Sequence, residues 1–369
     1  MSLSHRIMRI PGICVCMVVA CVLLASCGLI YDYEGDCSVH YRVRFRYDMN
    51  LSHADAFAHE VRRVTLHVLD ADGKVVWSGS ESGEALAGKD WTMGVDVPPG
   101  RYDLLAWCGS GDGGSWRLGA SESRDGLGCS LNSDADNSGT AYTAGRLDAL
   151  FHGYASGVDF TADEGTVVAE VGLTKDTKSV KLVVQQIADM PIDGGDFDIF
   201  ITCDNGRMDW DNSLVPGGAV EYRAWSVENG TVSLTGVSAA SESLGLASEG
   251  FGRTSENFGL TSATGSPATR ASGERGIVVA ELGTGRMVLG NSPRLHLRKK
   301  SDGSEIFSVP LIDYALLVRG ASARDIPEQE FLDRQDEMEL VLFLNGDDRW
   351  ESLQINILSW KVVVQNTSL

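Results

Sequence analysis

The chain has 369 residues, 43% of them hydrophobic, and its 51 acidic residues exceed its 31 basic residues to give a net charge of −20 at pH 7. This length and apolar content suffice for about two folded domains, which excludes a wholly disordered or collagen-like chain. The pI of about 4.7 means that the chain repels phosphate backbones and anionic head groups. Nucleic-acid binding and a polybasic membrane patch are therefore excluded as functions.

The first 26 residues have the layout of a bacterial export signal. A basic start is followed by an apolar, uncharged run over 13–24, which is too short to span a bilayer. The run ends in Leu24-Ala25-Ser26-Cys27, which resembles the lipobox of bacterial lipoprotein signals. This resemblance implies that Cys27 is acylated, that 27–37 is a lipidated tether, and that the lipid holds the protein to the outer membrane. An ordinary cleaved signal or an uncleaved anchor helix is the alternative.

Four cysteines remain for structure once the signal is removed and Cys27 is lipidated: Cys37, Cys108, Cys129 and Cys203. Disulfides form in oxidising compartments, and four cysteines allow three pairings. We favour a Cys37–Cys108 disulfide, because each residue borders an apolar alternating run that could lie in the same sandwich. Buried free thiols are the alternative.

Strand patterns dominate residues 38–188, the predicted N-terminal domain. Over 39–47 apolar side chains alternate with His and Arg, which is typical of a strand with one buried and one solvated face. A basic binding face is the less favoured interpretation of the same pattern. The other predicted elements are a short helix in 52–59 capped by Ser52, a hairpin over 61–78, and strands at 91–97, 101–107, 167–173 and 180–184. Residues 109–145, rich in Gly, Ser, Asp and Asn, are predicted to form a surface loop.

The predicted C-terminal domain covers 189–369, since Pro191 and Gly194-Gly195 mark a boundary. Strands are predicted at 197–201, 220–225, 232–237, 276–282, 286–289, 294–297, 305–311, 338–344 and 353–357, with a loop over 238–275 and a short helix over 327–334. At Leu358 the apolar phase shifts from odd to even positions, which predicts a bulge or bend. Short strands separated by turns indicate an all-β fold with two tandem β-sandwich domains and short helices in connecting loops.

No motif for catalysis, a cofactor or a metal is convincing. Residues 83–90 nearly match a phosphate-binding loop, but Asp90 stands where Ser or Thr must ligate magnesium. Residues 109–114 fit the dinucleotide fingerprint, but no helix pattern follows them. Acidic pairs such as Asp347-Asp348 lie in turns, where solvated Asp is common. We therefore predict no enzyme activity, no catalytic residue, no metal, no cofactor and no nucleotide.

A series of short motifs spans nearly the whole chain after the lipobox: Asp36-Cys37, Val39–Tyr47, Asp55-Ala56-Phe57, Val61–Asp70, Pro98–Trp107, Leu173-Thr174-Lys175, Asp209-Trp210-Asp211-Asn212 and Leu332–Glu337. The series resembles the fimbrial anchor subunits (FimB-like) of type V pili in anaerobic Gram-negative bacteria. The resemblance implies two transthyretin-like β-sandwiches and a position at the base of a fimbrium on the cell surface. It also implies that the protein fixes the fimbrium to the outer membrane and limits its length through strand complementation with a pilin.

Two other classes of function stay open from the sequence. A glycan-binding or adhesin-type surface lipoprotein would use exposed Trp77, Trp91, Trp107 or Trp116 to stack on sugars. A secreted hydrolase would need two carboxyl groups facing each other across a cleft, roughly 5–10 Å apart.

Overall fold

A computed structural model describes residues 40–109, 114–162, 165–187, 190–233, 274–345, 347–357 and 360–365. The predicted signal, the tether, Cys27 and Cys37 lie outside the described residues, as does most of the loop predicted over 238–275. No helix in the described parts of the chain is long and apolar enough to cross a membrane.

The described chain is all-β, as predicted, with three short helices. The strands are β1 His40–Arg46, β2 Arg63–Leu69, β3 Val75–Ser82, β4 Met93–Val95, β5 Gly100–Cys108, β6 Trp116–Leu118, β7 Cys129–Leu131, β8 Asp134–Ala135, β9 Ala141–Thr143, β10 Phe151–Phe160, β11 Thr166–Lys175, β12 Lys178–Gln186, β13 Phe197–Asp204, β14 Arg207–Met208, β15 Ala219–Arg223, β16 Ser226–Ser233, β17 Glu274–Thr284, β18 Arg294–Lys299, β19 Glu305–Pro310, β20 Glu337–Leu344, β21 Trp350–Ile357 and β22 Trp360–Gln365. The helices are α1 Phe57–Glu60, α2 Leu311–Ser322 and α3 Glu328–Arg334.

The first sandwich is one folded sheet in the order β3-β2-β5-β10-β11-β1-β4. Strand β11 pairs with β1 in parallel along its first part and with β10 in antiparallel at its end. This change of partner folds the sheet into two layers that enclose one core. The alternation predicted for β1 is confirmed, because Tyr41, Val43 and Phe45 are buried in that core.

The second sandwich consists of two six-stranded sheets, β16-β17-β12-β20-β21-β22 and β19-β18-β13-β15-β9-β8. Their inner faces enclose the larger core, to which Leu182, Ile201, Leu297 and Leu340 contribute fully buried side chains. The chain therefore crosses from the first sandwich to the second between β11 and β12, at Asp176 and Thr177.

The insert over 109–145 is not the plain surface loop that its composition predicted. Its strands β6 and β7 form a three-stranded sheet with β14, and β8 and β9 extend a sheet of the second sandwich. Trp116, Cys129 and Leu131 bury their side chains in the second core. Because the insert and β12 pair with strands of the second half, the boundary predicted at 188/189 does not coincide with the division of the sheets.

The helices and the end of the chain differ locally from the prediction. Helix α1 begins later than predicted, because the Asp55 side chain, rather than Ser52, accepts the N–H of Phe57. Helix α2 was not predicted, and the strand predicted at 286–289 is absent from the described residues there. Leu358, where a bulge or bend was predicted, lies outside the described residues, and the strands on either side of it, β21 and β22, pair antiparallel with Ile357 opposite Trp360.

Candidate functional site at the junction between the sandwiches

Three of the motifs that carried the family resemblance meet where the two sandwiches join. Residues 173–175 end β11, 209–212 form a loop after β14, and 332–337 connect α3 to β20. These segments are distant in sequence, so only the fold brings them together. We define the junction by the polar side chains that they and their neighbours contribute.

Asp176 is the centre of the junction and is fully buried. Its Oδ1 accepts a 2.9 Å hydrogen bond from Nδ2 of Asn212 and lies 3.8 Å from Nε of Arg286. Its Oδ2 has no hydrogen-bond partner among the described residues. Burial raises the pKa of Asp176 to about 7, although the Arg286 charge opposes the shift.

Arg286 joins three parts of the junction. Its Nε and Nη2 donate parallel 3.0 Å hydrogen bonds to Oδ1 and Oδ2 of Asp333, while Nη1 donates at 2.6 Å to the main-chain oxygen of Asn212. Asn212 is buried and has a left-handed backbone with φ of 67°. Because an asparagine tolerates this conformation better than most residues, the 209–212 loop can present its carbonyl to the guanidinium.

A second group of charges lies beside the first. The buried Lys178 ammonium donates at 2.8 Å to the main-chain oxygen of Asp333 and lies 3.5 Å from Oδ1 of Asp336. The Tyr47 hydroxyl, from the first sandwich, donates a short hydrogen bond to Oδ2 of the same Asp336. Burial lowers the pKa of Lys178 and raises that of Tyr47. Asp336 thus connects side chains of both sandwiches.

The edge of the junction has further ion pairs and hydrogen bonds. Lys175 and Glu60 are 2.6 Å apart, and burial raises the pKa of the nearby Glu337 to about 7. Nη1 of Arg334 donates to the main-chain oxygens of Asp48 at 2.9 Å and Asn50 at 3.2 Å. Helix α3 is thereby tied to the segment that follows β1.

A third contact joins the 209–212 loop to the outer face of the first sandwich. Nε2 of His152 lies 2.8 Å from the main-chain oxygen of Trp210, and burial lowers the pKa of His152 to about 4, so the imidazole is neutral at pH 7. The Arg124 guanidinium lies 4.1 Å from the centre of the Trp210 ring. Trp107 donates from Nε1 to the Leu127 carbonyl at 2.8 Å. The insert therefore fills the space between the two sandwiches.

Chemically, the junction is suited to coupling the sandwiches. Its carboxylates pair with cations, amides or a hydroxyl of the protein itself. Within the described residues, no three or more His, Cys, Asp and Glu side chains form a group that could hold a metal ion.

Sheet edges that no described strand covers are the second feature that bears on function. Strands β3 and β16, of eight residues each, end their sheets, whereas the other terminal strands of the large sheets are shorter, with six residues in β19 and β22, three in β4 and two in β8. The first residue of β3 already donates its N–H to the Glu122 carbonyl. At β16 the exposed fractions of Trp225 and Val227 are 36% and 43%. An extended segment with apolar side chains could add to such an edge.

The predicted site residues have different outcomes. Cys27 and Cys37 lie outside the described residues, while Cys108 is buried in the first core, and Cys129 and Cys203 are also buried without a disulfide bond. A Cys37–Cys108 bond therefore stays a prediction.

The basic face of β1 contacts its own sheet. Arg42 donates to Oγ1 and the main-chain oxygen of Thr92, and Arg46 lies 3.3 Å from each of Asp48 and Glu170. These local pairs favour the solvated strand face over a basic binding face.

The tryptophans proposed to stack on sugars are mostly unavailable. Trp107 and Trp116 are only 1% and 2% exposed, so the prediction of an exposed stacking role is wrong for both. Trp77 and Trp91 are half-buried, and the Trp91 ring stacks on Phe57 at 5.7 Å. Neither Trp107 nor Trp116 is exposed, because both side chains pack in the second core.

Asp176 and Arg286 were missed as site residues. The sequence contains one signal for Asp176: in Asp176-Thr177-Lys178 two charged residues stand between two apolar strand patterns. Arg286 follows β17 without any local pattern to distinguish it, because its partners are 47 and 74 residues away.

The chain matches one protein family and several solved structures. The model of the family described as Mfa2, fimbrillin-A associated anchor proteins Mfa1 and Mfa2, matches residues 33–366. No curated protein matches the chain.

Several solved structures are similar. A candidate adhesin from Bacteroides thetaiotaomicron is 27% identical with a TM-score of 0.66, over 87% of this chain and 96% of that one. A candidate polysaccharide-binding protein from the same organism is 24% identical with a TM-score of 0.69, over 90% and 100% of the two chains. The fimbrial anchor protein Mfa2 from Porphyromonas gingivalis is 15% identical with a TM-score of 0.59, over 89% and 99%. The last two likenesses concern the fold alone.

Proposed function

The chain belongs to the family of fimbrillin-A associated anchor proteins, and from this premise we propose that it is a non-enzymatic subunit that fixes a fimbrium to the outer membrane and limits its length. The observation that carries the proposal is the family match along nearly the whole chain, over residues 33–366. Two features of the molecule support it, one for attachment to the membrane and one for attachment to the pilin.

Attachment to the membrane would use a lipid on Cys27. The lipobox sequence Leu24-Ala25-Ser26-Cys27 supports this, and β1 begins only thirteen residues later, at His40. An extended chain covers at most about 3.5 Å per residue, so the first sandwich would lie within roughly 45 Å of the lipid. The fimbrial base, at the cell surface, is the location that such a tether fits.

Attachment to the pilin would use strand complementation at a sheet edge. The β16 edge supports this best, because it offers eight residues of main chain beside the exposed Trp225 and Val227. Main-chain hydrogen bonds would supply affinity, and alternate side chains would set the register. A protein that holds a polymer under load also needs its own domains coupled, and the junction around Asp176 and Arg286 does this.

The experiment compares fimbriated cells carrying the intact gene, a deletion, and Cys27→Ala. Deletion should give fimbriae that are longer and shed into the medium. Cys27→Ala should release a folded protein from the membrane fraction, with the same shedding. Fimbriae of unchanged length and attachment after deletion would contradict anchoring, and a membrane-bound Cys27→Ala protein would contradict lipidation at that residue.

A second candidate function is an adhesin-type surface lipoprotein. The observation that favours it is the 27% identity to a candidate adhesin over 87% of this chain. Trp225 is exposed, with the Arg146 guanidinium 5.5 Å from its ring centre. Saturable binding to a glycan array that Trp225→Ala abolishes, with fimbrial length unchanged on deletion, would favour this candidate over the anchor.

A further inference from the structure

The insert and the second sandwich enclose a cleft of about 610 Å³ that the junction does not use. The three-stranded sheet β14-β7-β6 forms one wall, and β9 and β15 form another. Six glycines are among the residues that line it, so much of its surface is main chain. At Gly119 and Gly128 an added Cβ would lie 2.2 and 2.5 Å from carbonyl oxygens, which requires glycine there.

Two arginines and a serine form one row across this small sheet. Arg117 and Arg207 are both directly opposite Ser130 in the pairing register, so the three side chains share one face. With about 4.8 Å between neighbouring strands, the two arginine Cα atoms are roughly 10 Å apart. Nη2 of Arg117 already donates to Oγ of Ser130 at 3.3 Å. All three residues line the cleft.

The two arginines of this row have no ion-pair partner among the described residues. Among the described residues, no carboxylate lies within ion-pair distance of Arg117 or Arg207, and both side chains are exposed. Two guanidinium groups around a hydroxyl offer the donors that a carboxylate accepts.

The rest of the cleft restricts the ligand further. Asp125 and Asp209 also line it, so a chain with a negative charge on every unit would be repelled beside the arginines. None of the described residues that line the cleft is aromatic, which disfavours stacking on sugars. Exposed main chain at the glycines suits an extended polypeptide with small side chains.

We propose that the Arg117–Ser130–Arg207 row binds a single Asp or Glu carboxylate on an extended polypeptide segment of a fimbrial subunit. The identity of the partner rests on the proposed function, whereas the carboxylate site rests only on the cleft. An acidic oligosaccharide is the competing ligand, and the test separates the two.

The test measures fluorescence anisotropy of a labelled nine-residue Gly/Ser peptide with one central Asp, titrated with the purified full-length chain. We expect saturable binding that is at least tenfold weaker for the same peptide with Asn, and at least tenfold weaker for Arg117→Gln and for Arg207→Gln. Arg44→Gln, which removes an exposed arginine from the outer face of β1, is the matched control and should bind normally.

Three results would overturn the carboxylate site: equal affinity for the Asp and Asn peptides, no binding of either, or full binding by the double variant Arg117→Gln/Arg207→Gln. Stronger competition by digalacturonate than by the unlabelled Asp peptide would reject the polypeptide ligand in favour of an acidic sugar. The assay contains no fimbriae, so its failure would leave the anchoring proposal, which is tested by fimbrial length and shedding, intact.

Discussion

Arg334, the last residue of α3, donates a 2.9 Å hydrogen bond to the main-chain oxygen of Asp48, which lies 286 residues earlier in the chain. The same Nη1 donates to the Asn50 carbonyl at 3.2 Å. This one side chain therefore ties the helix before β20 to the end of the first strand. The contact makes the coupling of the two sandwiches experimentally accessible.

We predict that Arg334→Ala loosens the junction. Charge-assisted hydrogen bonds contribute roughly 1.5–3 kcal/mol, so the free energy of unfolding should fall by about 2 kcal/mol. Hydrogen exchange should rise at residues 48–50 and in α3. The control is Glu330→Ala, which removes the 2.8 Å ion pair of Arg334 within the helix but leaves its bonds to the first sandwich. Equal effects of the two substitutions would contradict the coupling role.

Arg286→Met should be the most damaging single change at the junction. It removes the guanidinium that lies beside the fully buried Asp176 and bonds the partly buried Asp333, and removing one partner of a buried pair costs about 3–5 kcal/mol. Urea unfolding at pH 8 measures the loss. Because Asn does not ionise, Asp176→Asn removes the buried carboxylate charge that Arg286→Met leaves unpaired, and the double variant should recover part of the stability. A double variant no more stable than Arg286→Met would contradict this explanation.

The strands were predictable because their side chains alternate, and each alternation reports a buried face directly. The strands of the insert were not predictable, because they have only two or three residues and become stable only through tertiary burial of side chains such as Trp116 and Leu131. Helix α2 could have been found from Leu311, Ala315 and Val318, whose buried side chains recur at helical spacing.

The junction had weaker signals. The sequence motifs at 173–175, 209–212 and 332–337 were recognised as family features, but nothing local shows that they meet. Ion pairs between residues such as Arg286 and Asp333 depend on the path of the chain between them. The one local signal was Asp176, a charged residue between two strand patterns, where a contact between domains could be expected.

Stability should depend on pH through Asp176 and Glu337. Burial raises the pKa of each to about 7 in the folded protein, whereas the unfolded chain has carboxyl pKa values near 4. The folded state thus binds these protons more tightly, so their stabilising contribution is full below about pH 4 and is lost as pH rises through 7. Thermal unfolding between pH 5 and 8 measures the slope.

In Asp176→Asn this slope should be shallower, since Asn does not ionise and retains a similar shape. Asp96→Asn, at an exposed position after β4, is the control and should leave the slope unchanged. A slope as steep in Asp176→Asn as in the unmodified protein would assign the pH dependence to other groups.

Trp107 and Trp116 should act through packing rather than through ligand binding. Their side chains are 1% and 2% exposed, and replacing a buried tryptophan with alanine costs about 3–5 kcal/mol. Each alanine variant should therefore lose several kcal/mol of unfolding free energy. Trp225→Ala, at an exposed position, should lose little. Unchanged stability in Trp107→Ala together with lost glycan binding would restore the stacking role.

The cysteines permit a test that also decides the Cys37–Cys108 pairing. Cys108 lies at the level of the end of β11, because it is opposite Phe151, and Phe151 is opposite Lys175. The chain enters β1 at the level of the start of β11, because His40 is opposite Thr166. At about 3.3 Å per residue, these two levels of the sheet are roughly 30 Å apart. A disulfide needs Cα atoms within about 7 Å, and the three residues from Cys37 to His40 reach only about 11 Å.

The register therefore favours a buried free thiol at Cys108, the alternative that the sequence left open. Burial also raises the pKa of the Cys108 and Cys129 thiols, and that of Cys203 to about 12, so none forms a reactive thiolate at pH 8. In the native protein we expect these three to resist maleimide, and after denaturation without reductant we expect four thiols in the lipidated chain. A count of two, with Cys37 and Cys108 recovered as one linked peptide by mass spectrometry, would establish the disulfide instead and would require β1 to leave its register with β11.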